Sequence, residues 1–165
     1  MKASCVDYVL GLHPSSRGFG WVLFDGPGSP FDWGIADVPS HRNGEVLARV
    51  ARLLKKYRPK VLVLEDFDGE AAKRAIRIRK LGRSITERAE RLGIQVRLYS
   101  RDEIRKTFVA ENAVTREEIA AAVAKRIDAL SPRLPRPRKI WEAEHSNLAL
   151  FCAAASALTH YASRS

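Results

Sequence analysis

Along the chain the apolar positions switch between strand-like and helix-like spacing, and the switches mark out the elements. Val9-Leu10-Gly11-Leu12 is a continuous apolar run, as expected of a strand buried on both faces. A Pro14-Ser15-Ser16-Arg17-Gly18 turn leads to a second run, Phe19 to Phe24. After Gly26-Pro27-Gly28-Ser29-Pro30, residues Phe31 to Ala36 alternate large apolar with small or polar side chains at the period of a strand. Short turns between these three strands predict an antiparallel meander. The period then becomes helical: Val46, Leu47, Val50, Leu53, Leu54 and Tyr57 share one stripe, and Arg58-Pro59 ends it. Val61-Leu62-Val63-Leu64 is a fourth, fully apolar strand that stops abruptly at Glu65-Asp66. A long basic helix is expected from about Glu70 to Leu92, closed by Gly93, and Ile94, Val96 and Leu98 alternate as a fifth strand. Two capping boxes, Ser100 with Glu103 and Thr115 with Glu118, introduce further helices, the second burying Ile119, Val123, Ile127 and Leu130. A basic, proline-rich connector from Ser131 to Lys139 precedes an Ala-rich helix from about Ser146 to Ala162.

This order predicts one α/β domain over residues 1–165, with a five-stranded mixed sheet and helices on both faces. A right-handed crossover places the fourth strand parallel to the first, away from the meander, giving the order 3-2-1-4-5. Ligands of such sheets gather beyond the C-terminal ends of the central strands, where the order reverses. Here those ends carry His13 and Glu65.

Charge narrows the choice of ligand. Twenty-nine Lys and Arg against 19 Asp and Glu give a formal charge of +10, with an isoelectric point near 10.1. A field of that sign favours polyanions, nucleic acid above all; the competing reading is a basic surface of no consequence. No stretch approaches the roughly 18 apolar residues of a membrane span, and the segment before the first strand lacks the apolar core of a signal peptide. Cys5 and Cys152 have neither metal-site nor disulfide-framework spacing. They read as reduced thiols of a cytoplasmic protein.

Glu65 is the first candidate for chemistry. A carboxylate ending a buried strand faces a ligand or needs a buried partner; the alternatives are a cap for the next segment or an Arg pair. Phosphodiester hydrolysis by two divalent metals, held about 4 Å apart, requires several such oxygen ligands. Asp66 falls on the other side of the pleat, facing solvent or an Arg. Phe67 serves equally as a stacking surface for an unpaired base or as core. The basic helix opens with Lys73, Arg74, Arg77, Arg79, Lys80 and Arg83 before the first acid of that run, Glu87. These cations repel one another, and a polyanion would relieve the repulsion; the plainer reading is a solvated helix face.

His13-Pro14-Ser15-Ser16-Arg17-Gly18-Phe19-Gly20-Trp21 after an apolar strand resembles the first motif of the RuvC-type Holliday-junction resolvases, of the ribonuclease H-like superfamily. Val61 to Glu65 is similar to their second motif, whose Glu binds metal. Leu81-Gly82, and the path from Tyr99-Ser100-Arg101 through Ile104-Arg105-Lys106-Thr107 to Thr115, follow the same family. The resemblance implies a ribonuclease H-like fold, Mg²⁺ or Mn²⁺ as cofactor, structured DNA as partner and endonuclease activity. It implies His13, Glu65 and Glu144 as catalytic positions and metal ligands; His145 is read either as a ligand joining them or as a surface histidine near a helix start. Ser16 and Arg17 of the first motif, with Lys73, Arg74, Arg77 and Lys80, are the expected nucleic-acid contacts.

The departures from the family are pronounced. His13 stands where the family has Asp, and no Asp follows Asp128; the family's last Asp falls on Asn147 or Cys152. His13 therefore admits three readings: a ligand in a site retuned toward Mn²⁺ or Zn²⁺, a phosphate contact in a site that no longer cuts, or a structural histidine. The alternative to an endonuclease is an inactive module of the same fold binding structured DNA or RNA. The family's helix corresponding to residues 71–92 contributes to a dimer interface. The apolar set Ala71, Ala72, Ala75, Ile76, Ile78, Leu81, Ile85 and Ala89 exceeds one core-facing stripe, so a homodimer through this helix is expected; the competing reading is that the alanines only raise helix propensity and charge repulsion keeps the protein monomeric.

Overall fold

The computed structural model describes residues 6–38, 42–68, 75–137, 139, 141–142 and 145–164. Strands β1 (Val9–Ser15), β2 (Gly18–Gly26) and β3 (Ser29–Asp37) form the meander, followed by α1 (Asn43–Tyr57) and β4 (Val61–Glu65). Helix α2 (Ile76–Arg91), β5 (Gln95–Tyr99), α3 (Arg101–Thr107), α4 (Arg116–Arg126) and α5 (Leu148–Ser163) complete the order. The sheet runs β3-β2-β1-β4-β5, as the crossover argument predicts. β1 pairs antiparallel with β2 and parallel with β4, and β4 pairs parallel with β5.

Strand alternation sorts the core into two layers. Leu10, Leu12, Leu23, Leu62 and Leu64 pack with Val46, Val50, Leu54, Leu81 and Ile85 beneath α1 and α2. Val9, Val22, Phe24, Val61 and Val63 pack with Ile104, Ile119, Val123 and α5 on the other face. Helix α5 lies unusually close to the sheet because β1 and β2 present glycine beneath it. A Cβ at Gly11 would sit 2.2 Å from the Ala153 carbonyl oxygen, and one at Gly20 would sit 2.4 Å from the Ala149 carbonyl carbon. Since Gly20 pairs with His13, this contact brings the start of α5 to the C-terminal edge of the sheet.

Three expectations need correction. β1 runs on through Pro14 to Ser15, so the turn shrinks to Ser16-Arg17 and His13 lies inside the strand. The proline is tolerated because the β1–β4 ladder ends at Gly11 and Val63, leaving no call for its missing N–H on that side. Helix α2 begins at Ile76 rather than near Glu70: Ala75 has extended ψ, no side chain caps the end, and no acid sits in the first turn to offset the cations there. Within α2, Ile78, Leu81, Ile85 and Ala89 form a single inward stripe, and of the remaining apolar set Ala75 and Ile76 are exposed. Ala71 and Ala72 lie outside the described residues. Both capping boxes form as expected. No helix among the described residues is long and apolar enough to cross a membrane.

Candidate functional site

His13 and Glu65 sit on adjacent parallel strands. The β1–β4 register, continued at the same offset, sets them level, and alternation turns both toward the α5 face. Both are buried, at 2% and 7% exposure. The His13 ring meets Phe67 edge-on at 5.7 Å between centroids. Phe67 is itself buried, lying where a Cβ at Gly82 of α2 would meet it at 3.4 Å, so it is core rather than an exposed stacking surface. Asp66 accepts a bond from the Asp68 N–H and closes the turn after β4.

Around Glu65 the structure collects residues whose role the sequence does not announce. A cavity of about 20 Å³ is lined by Glu65, Arg101, Ile104, Arg116, Ile119, Cys152 and Ala155. An Arg101 guanidinium nitrogen lies 3.9 Å from a Glu65 carboxylate oxygen. Burial lowers the Arg101 pKa, the neighbouring Arg116 charge lowers it further, and Glu65 works against both. Arg101 and Arg116 occupy equivalent places: each directly follows the cap of a capping box, Ser100 for α3 and Thr115 for α4. A cation at the first helical position opposes the helix dipole, so neither helix gains from it. The repeated Ser/Thr-Arg-x-Glu spelling marks two helix starts in the sequence, but not that their arginines share a cavity.

These residues do not fit a two-metal centre. One carboxylate shares its cavity with two arginines, and a volume of about 20 Å³ is near the minimum for a single water. Among the described residues no group of three or more His, Cys, Asp or Glu is arranged to hold a metal. Of the two positions that could carry the family's last Asp, Cys152 lines the cavity, whereas Asn147 spends its side-chain amide on the Arg133 carbonyl at 3.0 Å. His145 is exposed, accepts a bond from the Asn147 N–H, and lines a separate groove with Glu117, Leu134 and Leu148. Glu144 lies outside the described residues, as do Lys73 and Arg74.

Of the remaining expected nucleic-acid contacts, Arg77 and Ser16 meet. Arg77 donates to the Ser16 carbonyl at 3.2 Å and to the Asn43 side chain at 3.1 Å, tying α2 to the Ser16-Arg17 turn. Its guanidinium is thus a structural tie, while Ser16, Arg17 and Lys80 are exposed. Arg83 is not without counter-charge: it grips Asp68 through two bonds of 3.1 and 2.8 Å, which lower the Asp68 pKa and raise that of Arg83.

No protein-family model matches the chain, and no curated protein matches it. Solved structures do. Thermus thermophilus RuvC aligns at a TM-score of 0.68 and 21% identity, covering 95% of either chain. T. thermophilus RuvC in complex with a Holliday junction substrate aligns at 0.66 and 20% identity, covering 95% of this chain and 94% of that one. The yeast mitochondrial Holliday junction resolvase Ydc2 aligns at 0.60 and 16% identity, over 94% of this chain and 79% of its own. The chain therefore has the ribonuclease H-like fold of the RuvC resolvases.

Proposed function

We propose that this protein binds branched or otherwise structured DNA at the C-terminal edge of its sheet, in the manner of a RuvC-type resolvase, through arginines in place of a two-metal centre. The observation that carries the proposal is that Arg101 and Arg116 line one cavity with Glu65, Arg101 lying 3.9 Å from its carboxylate. In a site where hydrolysis would call for several carboxylates and two dications, the protein supplies positive charge from its own side chains. Both arginines are only partly buried, so they would meet the phosphate backbone, whose neutralisation dominates nucleic-acid affinity, at the surface of the edge and not inside the cavity. The net charge of +10, the exposed Arg17 in the turn after β1 and the exposed Lys80 on α2 support the reading.

The placement of His13 beside Glu65 favours a second reading, a metal-dependent endonuclease with an altered ligand set that uses Mg²⁺ or Mn²⁺. One experiment separates the two: anisotropy with a labelled four-way junction, in EDTA and in each metal, followed by electrophoresis of the strands. Undiminished binding in EDTA with intact strands is expected. Binding that requires Mn²⁺ and ends in cleavage would overturn the arginine-based proposal in favour of the second. We propose further that two copies pair through α2, with the exposed Ile76 in the contact; light scattering of wild type and Ile76→Asp checks this, a single-chain mass for the wild type ending it.

A further inference from the structure

The connector between α4 and α5 carries a feature that the edge site does not use. Trp141 is 78% exposed, although tryptophan is among the most buried residue types on average. It does not hang from a slack loop. The Glu142 N–H bonds the Lys139 carbonyl at 2.9 Å, so Trp141 rides in a closed turn. The excursion is pinned where it begins and ends, because the Asn147 amide holds the Arg133 carbonyl at 3.0 Å. Pro135 and Pro137 stiffen its outgoing limb. Its base adjoins the start of α5, which packs over Gly20 opposite His13, so the excursion rises from the same edge of the sheet.

The chemistry around the ring selects a partner. The Lys139 ammonium lies 5.4 Å from the Trp141 ring centroid, within cation–π range. Arg133, Arg136 and Lys139 are exposed, and no Asp or Glu occurs between Asp128 and Glu142. An exposed aromatic face beside three exposed cations, which outnumber the half-buried Glu142 next to it, matches a partner that is anionic and has π-faces of its own. A second copy of this chain would set like charges against each other.

We infer that Trp141, with Lys139 and Arg136, is a stacking platform for an unpaired nucleobase next to the bound branch. The inference rests on the proposal that the protein binds nucleic acid, and goes beyond it by assigning a residue and a nucleotide state. The test uses wild type, Trp141→Ala and Trp141→Phe. Each is titrated with a fully paired four-way junction, with the same junction bearing one unpaired thymine at its centre, and with that thymine made abasic. Tryptophan emission is followed alongside anisotropy; Trp21 and Trp33 are half-buried, so a stacking base acts mainly on Trp141.

Stacking predicts quenching by the thymine junction and not by its abasic form. Trp141→Ala should weaken thymine-junction binding roughly five- to 150-fold, the range for alanine replacement of a stacking aromatic. It should leave the fully paired junction unchanged, and Trp141→Phe should keep most of the affinity. Equal loss on all three junctions, or no loss, overturns the inference while leaving junction binding in place. A fall in molecular mass for Trp141→Ala without a binding change would assign the ring to a protein interface instead. A wild type that binds none of the junctions overturns both this inference and the functional proposal.

Discussion

Arg101 and Glu65 face each other across 3.9 Å at the mouth of the sheet, with side-chain exposures of 23% and 8%. The gap is too wide for a hydrogen bond, so the pairing is one of charge alone. Removing the cation should cost about 1–3 kcal/mol, less than the loss of a fully buried, bonded pair, because Arg101 is partly solvated. Urea unfolding of Arg101→Gln, Glu65→Gln and the double variant forms a cycle. Each single change should destabilise, and the double should cost clearly less than the two together. Strict additivity would show that the two charges do not sense each other.

His160 gives the fold a pH dependence. Its ring is buried, its Nδ1 is hydrogen-bonded with the Tyr99 hydroxyl at 2.8 Å, and burial, then Arg164 and Arg97, lower its pKa. A histidine that resists protonation when folded binds fewer protons than the unfolded chain. Its contribution is therefore complete above the unfolded pKa of about 6.5 and is lost as pH falls through that value toward the folded one. The slope cannot exceed about 1.4 kcal/mol per pH unit from this one group. His160→Gln should flatten the stability profile between about pH 7 and pH 5. An unchanged profile would assign the acid sensitivity to other groups.

What the sequence made legible follows from what each signal encodes. Continuous apolar runs at Val9–Leu12 and Val61–Leu64 mark strands covered on both faces, and with the crossover rule they yield the whole strand order. Capping boxes are local chemistry and form as spelled. The start of α2 is not legible, because the helical spacing runs on through Ala75, whose ψ is extended. The site divides in the same way. Glu65 stands out as a carboxylate ending an apolar strand, but Arg101 and Arg116 look like ordinary surface cations on separate helices. Only the packing of α3 and α4 over the edge brings them together.

Salt should weaken nucleic-acid binding steeply. Each phosphate contact removed should reduce the slope of log affinity against log salt by roughly 0.7 to 0.9. Arg17→Gln and Lys80→Gln, both exposed, should each do so without loss of stability. Arg77→Gln should differ, lowering stability as well, since that guanidinium holds Ser16 and Asn43. If the Arg17 and Lys80 variants keep both affinity and slope, the binding surface lies elsewhere, and the Arg133-to-Lys139 connector is the next to neutralise.

The arginines also predict what would restore a metal centre. His13→Asp alone supplies a carboxylate where the RuvC-type resolvases have one, but it leaves two guanidinium groups beside Glu65 and almost no free volume. Dications bind through deprotonated oxygen ligands and are repelled by fixed positive charge, so this single change should not create a site for Mg²⁺ or Mn²⁺. Adding Arg101→Gly removes one cation and its bulk. Adding Cys152→Asp places a carboxylate on α5 in the same cavity. The triple variant should then bind Mn²⁺ by calorimetry at concentrations where wild type and His13→Asp give no heat. Micromolar Mn²⁺ binding by the wild type would show that the arginines do not keep metal out. Mg²⁺ binding gained by His13→Asp alone would place control at position 13, and Arg101 would then be a bystander.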